Sequence, residues 1–142
     1  TLMHGSHLLH HWASTQQVIA TSSAESELYA MCRCAAQALG AISMARDMGD
    51  HKQGKVSADA SAALAIVHRK GLGKVRHLAV QYLWMQDCIR QGRILVKKVK
   101  GQENMADLMT KHLSSELAHK HLASMGIIAP SGRHPLAPEV SK

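Results

Sequence analysis

The sequence has few aromatic residues, few cysteines and no long apolar run. Its aromatic side chains are two Trp and two Tyr, so an apolar core must be built from aliphatic residues and the eight Met. The three cysteines are an odd number, which argues against a disulfide framework and favours a reducing compartment. No segment approaches the roughly 18 consecutive apolar residues of a membrane helix, and no signal peptide is recognisable. We therefore expect an intracellular protein that does not enter a membrane.

Acidic residues are absent from the first 24 positions, and proline is absent from the first 129. The three prolines fall in a final stretch without apolar periodicity. We predict one domain over residues 1–128 and a disordered tail over residues 129–142. The chain begins with Thr1 rather than Met, and we expect it to be cut from a longer reading frame.

Positive charge dominates the middle of the chain. The formal net charge is +7, and nine of the 17 basic residues lie between residues 69 and 100 with a single acid, Asp87. Such a block is typical of a surface that follows a phosphate backbone, although a solvated basic face without a partner has the same composition. The basic residues predicted to contact nucleic acid lie in a glycine-containing loop and in a later strand: Arg69, Lys70, Lys74, Arg76, Lys97 and Lys98.

The spacing of apolar residues predicts an α/β domain with one core. Residues 1–21 are predicted to form one or two strands. Ser22 and Glu25 then make a capping pattern for a helix that ends near Gly49. A strand (residues 55–58), a helix (60–71), a second helix (77–92), a strand (94–99) and a long helix (101–126) are predicted to follow.

Acidic residues stand at three predicted strand-to-helix corners. Glu25 and Glu27 open the first helix. Asp59 and Asp107 each follow a predicted strand. Functional side chains of open α/β sheets gather at such corners, and converging carboxylates repel one another unless a cation joins them. Mg²⁺ and Mn²⁺ prefer oxygen ligands of this kind. The alternative is that each acid only stabilises the start of a helix.

Four short motifs occur in a fixed order along the chain. They are Ser22-Ser23-Ala24-Glu25-Ser26-Glu27-Leu28-Tyr29-Ala30, Asp59-Ala60-Ser61-Ala62-Ala63, Arg76-His77-Leu78 and Gly101-Gln102-Glu103-Asn104-Met105-Ala106-Asp107-Leu108-Met109-Thr110-Lys111. In this order and spacing they resemble the ribonuclease H domains of copia-type retrotransposons, over residues 7–126. Each motif alone is a weak signal, whereas four in register are specific.

The resemblance implies an RNase H-like three-layer fold, a mixed sheet flanked by helices, downstream of reverse transcriptase in a Pol polyprotein. It implies a hydrolase that cuts the RNA strand of RNA–DNA hybrids with two Mg²⁺ (or Mn²⁺) ions. By resemblance, Glu27, Asp59 and Asp107 are the catalytic metal ligands and Glu25 is a helix cap. His77 matches a recurrent histidine of these domains, on the nucleic-acid-binding side or in a structural role. The implied location is a cytoplasmic virus-like particle or the nucleus.

One part of the family's site has no counterpart in this chain. The family's first catalytic aspartate lies on its first strand, upstream of the helix glutamate, where this chain has no acid. We therefore expect a fold truncated at the N-terminus, with exposed strand edges and little or no nuclease activity in the chain alone. A non-catalytic nucleic-acid-binding remnant and a small α/β protein with capping acids are the alternatives.

Overall fold

The helices and strands follow one another in the predicted order, beginning with a hairpin. The computed structural model of the protein describes residues 1–71, 73 and 80–128. Its regular elements are β1 (Leu2–His4), β2 (His7–His10), α1 (Ser23–Asp47), β3 (Gly54–Ala58), α2 (Ser61–His68), α3 (Trp84–Arg90), β4 (Ile94–Lys98) and α4 (Ser115–Ser124). Short 3₁₀ helices occupy Val80–Leu83, Gly101–Glu103 and Met105–Met109. The predicted α/β class is confirmed.

The strands form two separate two-stranded sheets among the described residues. β1 and β2 pair antiparallel, while β3 and β4 pair parallel, from Gly54 opposite Ile94 to Ala58 opposite Lys98. The mixed sheet that the resemblance implies is not formed among the described residues. One groove is lined by residues of the hairpin, of α1 and of β3, and no described backbone pairing joins the hairpin to β3. The RNase H-like three-layer arrangement stays a prediction.

The core lies between α1 and the sheet of β3 and β4. α1 contributes a stripe of buried residues at helical spacing, and β3 buries every second residue. The core side chains from α1, β3, α2, α3 and β4 include Leu28, Met31, Ala35, Ala38, Val56, Ala63, Val67, Met85, Cys88 and Ile94. Lys55 and Ser57 alternate with the buried positions of β3 and are exposed. This packing holds the start of α1 beside the residues that follow β3, and both line one cleft.

The long helix predicted over residues 101–126 is divided, so that prediction is wrong. Residues 101–109 form two 3₁₀ helices, and α4 begins several residues later. Two side-chain caps explain the division, because each one begins a new helix. The Asn104 side chain accepts a hydrogen bond from the N–H of Ala106 at 3.2 Å, and the Ser114 hydroxyl accepts one from an N–H of α4 at 3.3 Å. Asp107 therefore lies in a short 3₁₀ helix instead of the first turn of a long α-helix.

Glycines follow two helices where the sequence predicts them. Gly49 and Gly92 come after α1 and α3 with φ of +84° and +67°, values that favour glycine. The predicted start of the α3 helix at His77 and the predicted tail over residues 129–142 lie outside the described residues. Within the described ranges, no helix has the length and apolar character needed to cross a bilayer.

Candidate active site

Two glutamates lie near the start of α1, and the first of them, Glu25 in the first turn, is part of the fold. Ser22 is extended, and its hydroxyl accepts a hydrogen bond from Glu25 N–H at 3.2 Å, as the capping pattern predicts. The buried Glu25 carboxylate accepts hydrogen bonds from the N–H and hydroxyl of Thr21, at 2.8 and 2.7 Å, and from the Tyr29 hydroxyl. Burial and the hydrogen bond to Glu25 raise the pKa of Tyr29 to about 12. Glu25 therefore fixes the start of α1.

The second glutamate, Glu27, faces other carboxylates. Its side chain is partly exposed, and burial is the main cause that raises the pKa of its carboxyl group. The negative charges of Asp59 and Asp107 raise this pKa further, whereas the positive charge of Lys111 lowers it. The charges of Asp59 and Asp107 therefore both act on Glu27. We call these three residues the carboxylate cluster.

Asp59 follows the last residue of β3 at the carboxyl end of the parallel sheet. The pairing of β3 with β4 continues past the strands, because Val99 N–H donates to the Ala58 carbonyl at 3.0 Å. The chain then passes Asp59 closely: a Cβ placed on Gly101 would lie 3.6 Å from Asp59 Oδ2. The parallel pairing of the two strands therefore brings the Gly101–Glu103 helix, and the residues after it, to Asp59.

Glu27 and Asp59 line one shallow cleft of about 380 Å³. The remaining lining residues are small side chains from the starts of α1 and α2: Ser23, Ala24, Ala60, Ser61 and Ala62. Because these side chains are small, the two carboxylates can be reached from solvent. The cleft opens at the carboxyl end of β3, the side of a parallel sheet where ligands usually bind.

Asp107 is held by neighbours on its own segment. Lys111 Nζ lies 2.8 Å from Asp107 Oδ2, and the Asn104 side-chain amide donates to Oδ1 at a long 3.5 Å. The hydrogen bond to Asp107 raises the pKa of Lys111, with burial opposing it and the charges of Asp107, Asp59 and Glu27 adding to the rise. Lys111 is therefore the counter-ion of Asp107, and its charge also interacts with those of Asp59 and Glu27.

The carboxylate cluster has donor chemistry that fits a hard divalent cation, since all of its donors are carboxylate oxygens. The repulsion that raises the pKa of Glu27 would be relieved by such a cation. As the side chains stand, however, residues 1–71, 73 and 80–128 contain no group of three His, Cys, Asp or Glu residues that could hold a metal ion. The two ions implied by the resemblance stay a prediction, and Lys111 supplies the local positive charge instead.

The predicted nucleic-acid-binding residues lie in two places. Lys97 and Lys98 are exposed on β4, and Lys98 Nζ donates to the Ser61 hydroxyl, a lining residue of the cleft, at 2.6 Å. Lys98 therefore stands at the rim of the cleft. Lys70 is exposed, whereas Arg69 is partly buried and lies against Gly73, where a Cβ would come within 2.7 Å of its guanidinium. The other three predicted contacts lie outside the described residues: Lys74, Arg76 and His77.

The groove between the hairpin and β3 has a volume of about 1290 Å³ and runs along all of β3. Its walls include Leu2 and Met3 of the hairpin and Met31 of α1, and it reaches Glu27 and Asp59 at one end. We call it the strand groove, because every residue of β3 lines it and β3 pairs only with β4 among the described strands. An extended chain segment laid there could pair with β3 and end beside the carboxylate cluster.

The contribution of Lys111 was not predicted from the sequence, although the motif that contains it was singled out. The available signal was its spacing: an acid and a lysine four residues apart face the same side of a helical turn. The role of Asn104 as a helix cap was also not predicted, because the sequence pattern favours one continuous helix through this position.

Comparison with known proteins gives no relative for this chain: no family model, curated protein or solved structure matches it.

Proposed function

We propose that this chain is the larger part of an RNase H-like domain from a copia-type retrotransposon Pol polyprotein. Its activity would be metal-dependent hydrolysis of the RNA strand in RNA–DNA hybrids, in a cytoplasmic virus-like particle or the nucleus. The observation that carries the proposal is that Glu27 and Asp59, from two distant parts of the chain, line one cleft, and that the charge of Asp107, from a third, acts on Glu27. If each acid only stabilised its own helix start, the charges of Asp59 and Asp107 would not be expected to act on Glu27.

Each part of the site has a role in this proposal. Glu27, Asp59 and Asp107 would hold Mg²⁺ or Mn²⁺, and such ions stabilise the entering and leaving oxygens of a phosphodiester displacement. Lys98 stands at the rim of the cleft, where its ammonium group can contact a substrate phosphate. Lys97 is exposed on the same strand and adds positive charge for the hybrid backbone.

The strand groove gives the proposal a place for the family's first strand. By resemblance that strand carries a fourth carboxylate, and residues 1–24 of this chain contain none. We propose that the reverse transcriptase segment of the same polyprotein supplies a strand that pairs with β3. Its aspartate would then lie at the end of the groove that reaches Glu27 and Asp59. The chain alone is expected to cut hybrids weakly or not at all.

The test is cleavage of a labelled RNA–DNA hybrid in Mg²⁺ by the chain alone and by the chain joined to its upstream coding segment. We expect cleavage from the joined protein, reduced at least about a hundredfold by Asp59→Asn or Asp107→Asn, the scale seen when a group that stabilises transition-state charge is removed. Asp87→Asn is the matched control, because Asp87 is an exposed acid that pairs with Arg90 on α3. Full activity in both site variants would contradict the proposal.

A second candidate function is hybrid binding without cleavage, favoured by the adjacent exposed lysines of β4. Hybrid affinity should then fall steeply with salt, because phosphate contacts release counterions. Replacing Lys97 and Lys98 by alanine should reduce that salt dependence, whereas replacing Lys120, an exposed lysine of α4, should not. An affinity that does not change with salt would exclude the backbone contacts.

A further inference from the structure

Gln86 is a buried glutamine of α3 whose side chain bonds to the chain at the end of α2. We propose that Gln86 is a positioning residue for nucleic-acid binding. It fixes the backbone around Lys70, so that the ammonium group of this lysine can contact a phosphate of an RNA–DNA hybrid. This role rests on the proposed binding of hybrids, and it is exerted through Lys70.

Both the nitrogen and the oxygen of the Gln86 amide are bonded to backbone groups. Gln86 is 3% exposed. Its Nε2 donates to the carbonyl of Ile66 at 2.8 Å and to the carbonyl of Gly71 at 3.1 Å. Its Oε1 accepts a hydrogen bond from the N–H of Gly71 at 2.9 Å. A glutamine amide has two N–H donors and one carbonyl acceptor, so each of these groups has a partner.

These bonds hold the chain on both sides of the short segment that carries Lys70. Ile66 lies in the last turn of α2, where carbonyl groups have no partner within the helix. Arg69 is extended, so the chain leaves α2 there. Gly71 has a φ of +76°, a conformation that favours glycine. One side chain therefore fixes the end of the helix and the turn that follows it.

The position of Gln86 is in turn set by the core. Met85 and Cys88, its neighbours on α3, are completely buried. Lys70 is exposed, whereas Arg69 is partly buried, so Lys70 is the more accessible basic side chain of the segment. A backbone that is already fixed does not have to be ordered when the ligand binds, and this preorganisation raises affinity. Loss of the Gln86 bonds should therefore weaken the phosphate contact of Lys70.

The experiment measures binding of a labelled RNA–DNA hybrid to the full 142-residue chain by fluorescence anisotropy, without divalent cations and at several salt concentrations. Lys70→Ala should weaken binding about threefold to tenfold and reduce the slope of log affinity against log salt by about 1, because one phosphate contact is lost. Gln86→Met keeps a side chain of similar length without its hydrogen bonds and should give the same two changes.

Gln53→Met is the matched control. The Gln53 amide donates to the carbonyl of Gly92, the glycine that follows α3, at 2.8 Å, and none of the predicted nucleic-acid contacts adjoins either residue. Affinity and salt slope should stay within about twofold and about 0.3 of those of the unchanged chain. A loss in this control as large as that in Gln86→Met would overturn the specific role of Gln86.

The double variant of Gln86→Met with Lys70→Ala tests whether Gln86 acts through Lys70. If it does, the double variant binds no more weakly than Lys70→Ala alone. Additive losses would overturn the inference. A lower unfolding temperature of Gln86→Met with unchanged hybrid affinity would show a merely structural role and would also overturn it. Gln86→Asn, whose amide is one methylene shorter and cannot reach both Ile66 and Gly71, repeats the measurements if the methionine variant does not fold.

The outcomes separate this inference from the proposed function. Absence of salt-dependent hybrid binding by the unchanged chain would overturn both. Salt-dependent binding that is equally strong in Lys70→Ala and Gln86→Met would overturn the inference alone and leave binding through Lys97 and Lys98 standing. Equal losses in Lys70→Ala and Gln86→Met, with no further loss in the double variant, would support both.

Discussion

Glu25 and Glu27 lie two residues apart near the start of α1 and occupy different surroundings. Glu25 is 2% exposed and accepts hydrogen bonds from Thr21 and Tyr29. Glu27 is partly exposed, and the charges of Asp59 and Asp107 act on it. Residues two apart on a helix point away from each other, so Glu25 can bond within the fold while Glu27 faces the cleft. The helix start thus joins a region whose carboxylate is fully hydrogen-bonded to one where like charges meet.

The different surroundings of Glu25 and Glu27 give a way to distinguish acids that stabilise the fold from acids that belong to a functional site. A buried carboxylate with its hydrogen bonds satisfied stabilises the fold, because losing it leaves donors without a partner. A carboxylate beside like charges costs stability, and such costs are tolerated mainly where a ligand offsets them. By this comparison Glu25 belongs to the fold and Glu27 to the site. Three substitutions test the comparison, beginning with the largest expected effect.

Glu25→Ala should lower the free energy of unfolding by about 1–3 kcal/mol, because it removes the acceptor of the buried Tyr29 hydroxyl together with the hydrogen bonds that tie Thr21 to the start of α1. The measurement is urea unfolding at neutral pH. Glu116→Ala is the control, since Glu116 also lies in the first turn of a helix, α4, but is exposed. Its expected loss is within about 0.5 kcal/mol. Equal losses in the two variants would show that Glu25 contributes no more than an acid at any helix start.

The start of α1 could be predicted from the sequence because its signals are local. Ser22 and Glu25 stand at the spacing of a capping pattern, and Gly49 stands where the helix must end. The hydrogen bond from Tyr29 to Glu25 could not be predicted in the same way. It depends on side-chain rotamers, which are set by packing with the Tyr82 ring, whose centroid lies 4.1 Å from that of Tyr29.

The approach of Asp59 to α1 could also be predicted, since strand-to-helix corners of a parallel sheet share one end. The short helix around Asp107 could not. Apolar residues continue at helical spacing through this segment, so the pattern favours one long helix, while the caps at Asn104 and Ser114 favour two starts. Two helix starts form because each cap gives a backbone N–H a side-chain acceptor, in place of the carbonyl that would accept its hydrogen bond in the longer helix. The separation of the hairpin from β3 is a tertiary feature with no local signal.

Tyr29→Phe should have the next largest effect, a loss of about 1–2 kcal/mol, because a hydrogen bond to a charged acceptor is removed while Glu25 keeps its bonds to Thr21. Tyr82→Phe is the control. Its ring packs against the ring of Tyr29, and no described residue bonds to its hydroxyl. Urea unfolding of both variants measures the difference. If Tyr82→Phe lost as much stability as Tyr29→Phe, the hydroxyl of Tyr29 would not be part of the structure that fixes Glu25.

Glu27→Gln should have the smallest effect and the opposite sign. Burial, and to a lesser extent the neighbouring acids, raise the pKa of Glu27 above its ordinary value of 4.5, so the folded chain holds this proton more tightly than the unfolded chain. Stability then falls as pH rises from about 4.5 through the raised pKa, and the cost persists above it. Since Glu27 is partly exposed and screened by water, glutamine should add at most about 0.5–1 kcal/mol at neutral pH without metal.

The measurement is urea unfolding of metal-free protein from about pH 4 to about pH 8, with Glu27→Gln compared at each pH with the unchanged chain. The stability difference should be near zero at the acid end and should grow as Glu27 ionises. Mn²⁺ should then stabilise the unchanged chain more than the variant, because only the unchanged chain keeps all three carboxylates. If glutamine destabilised the chain at neutral pH, Glu27 would resemble Glu25, and α1 would begin with two structural acids instead of one.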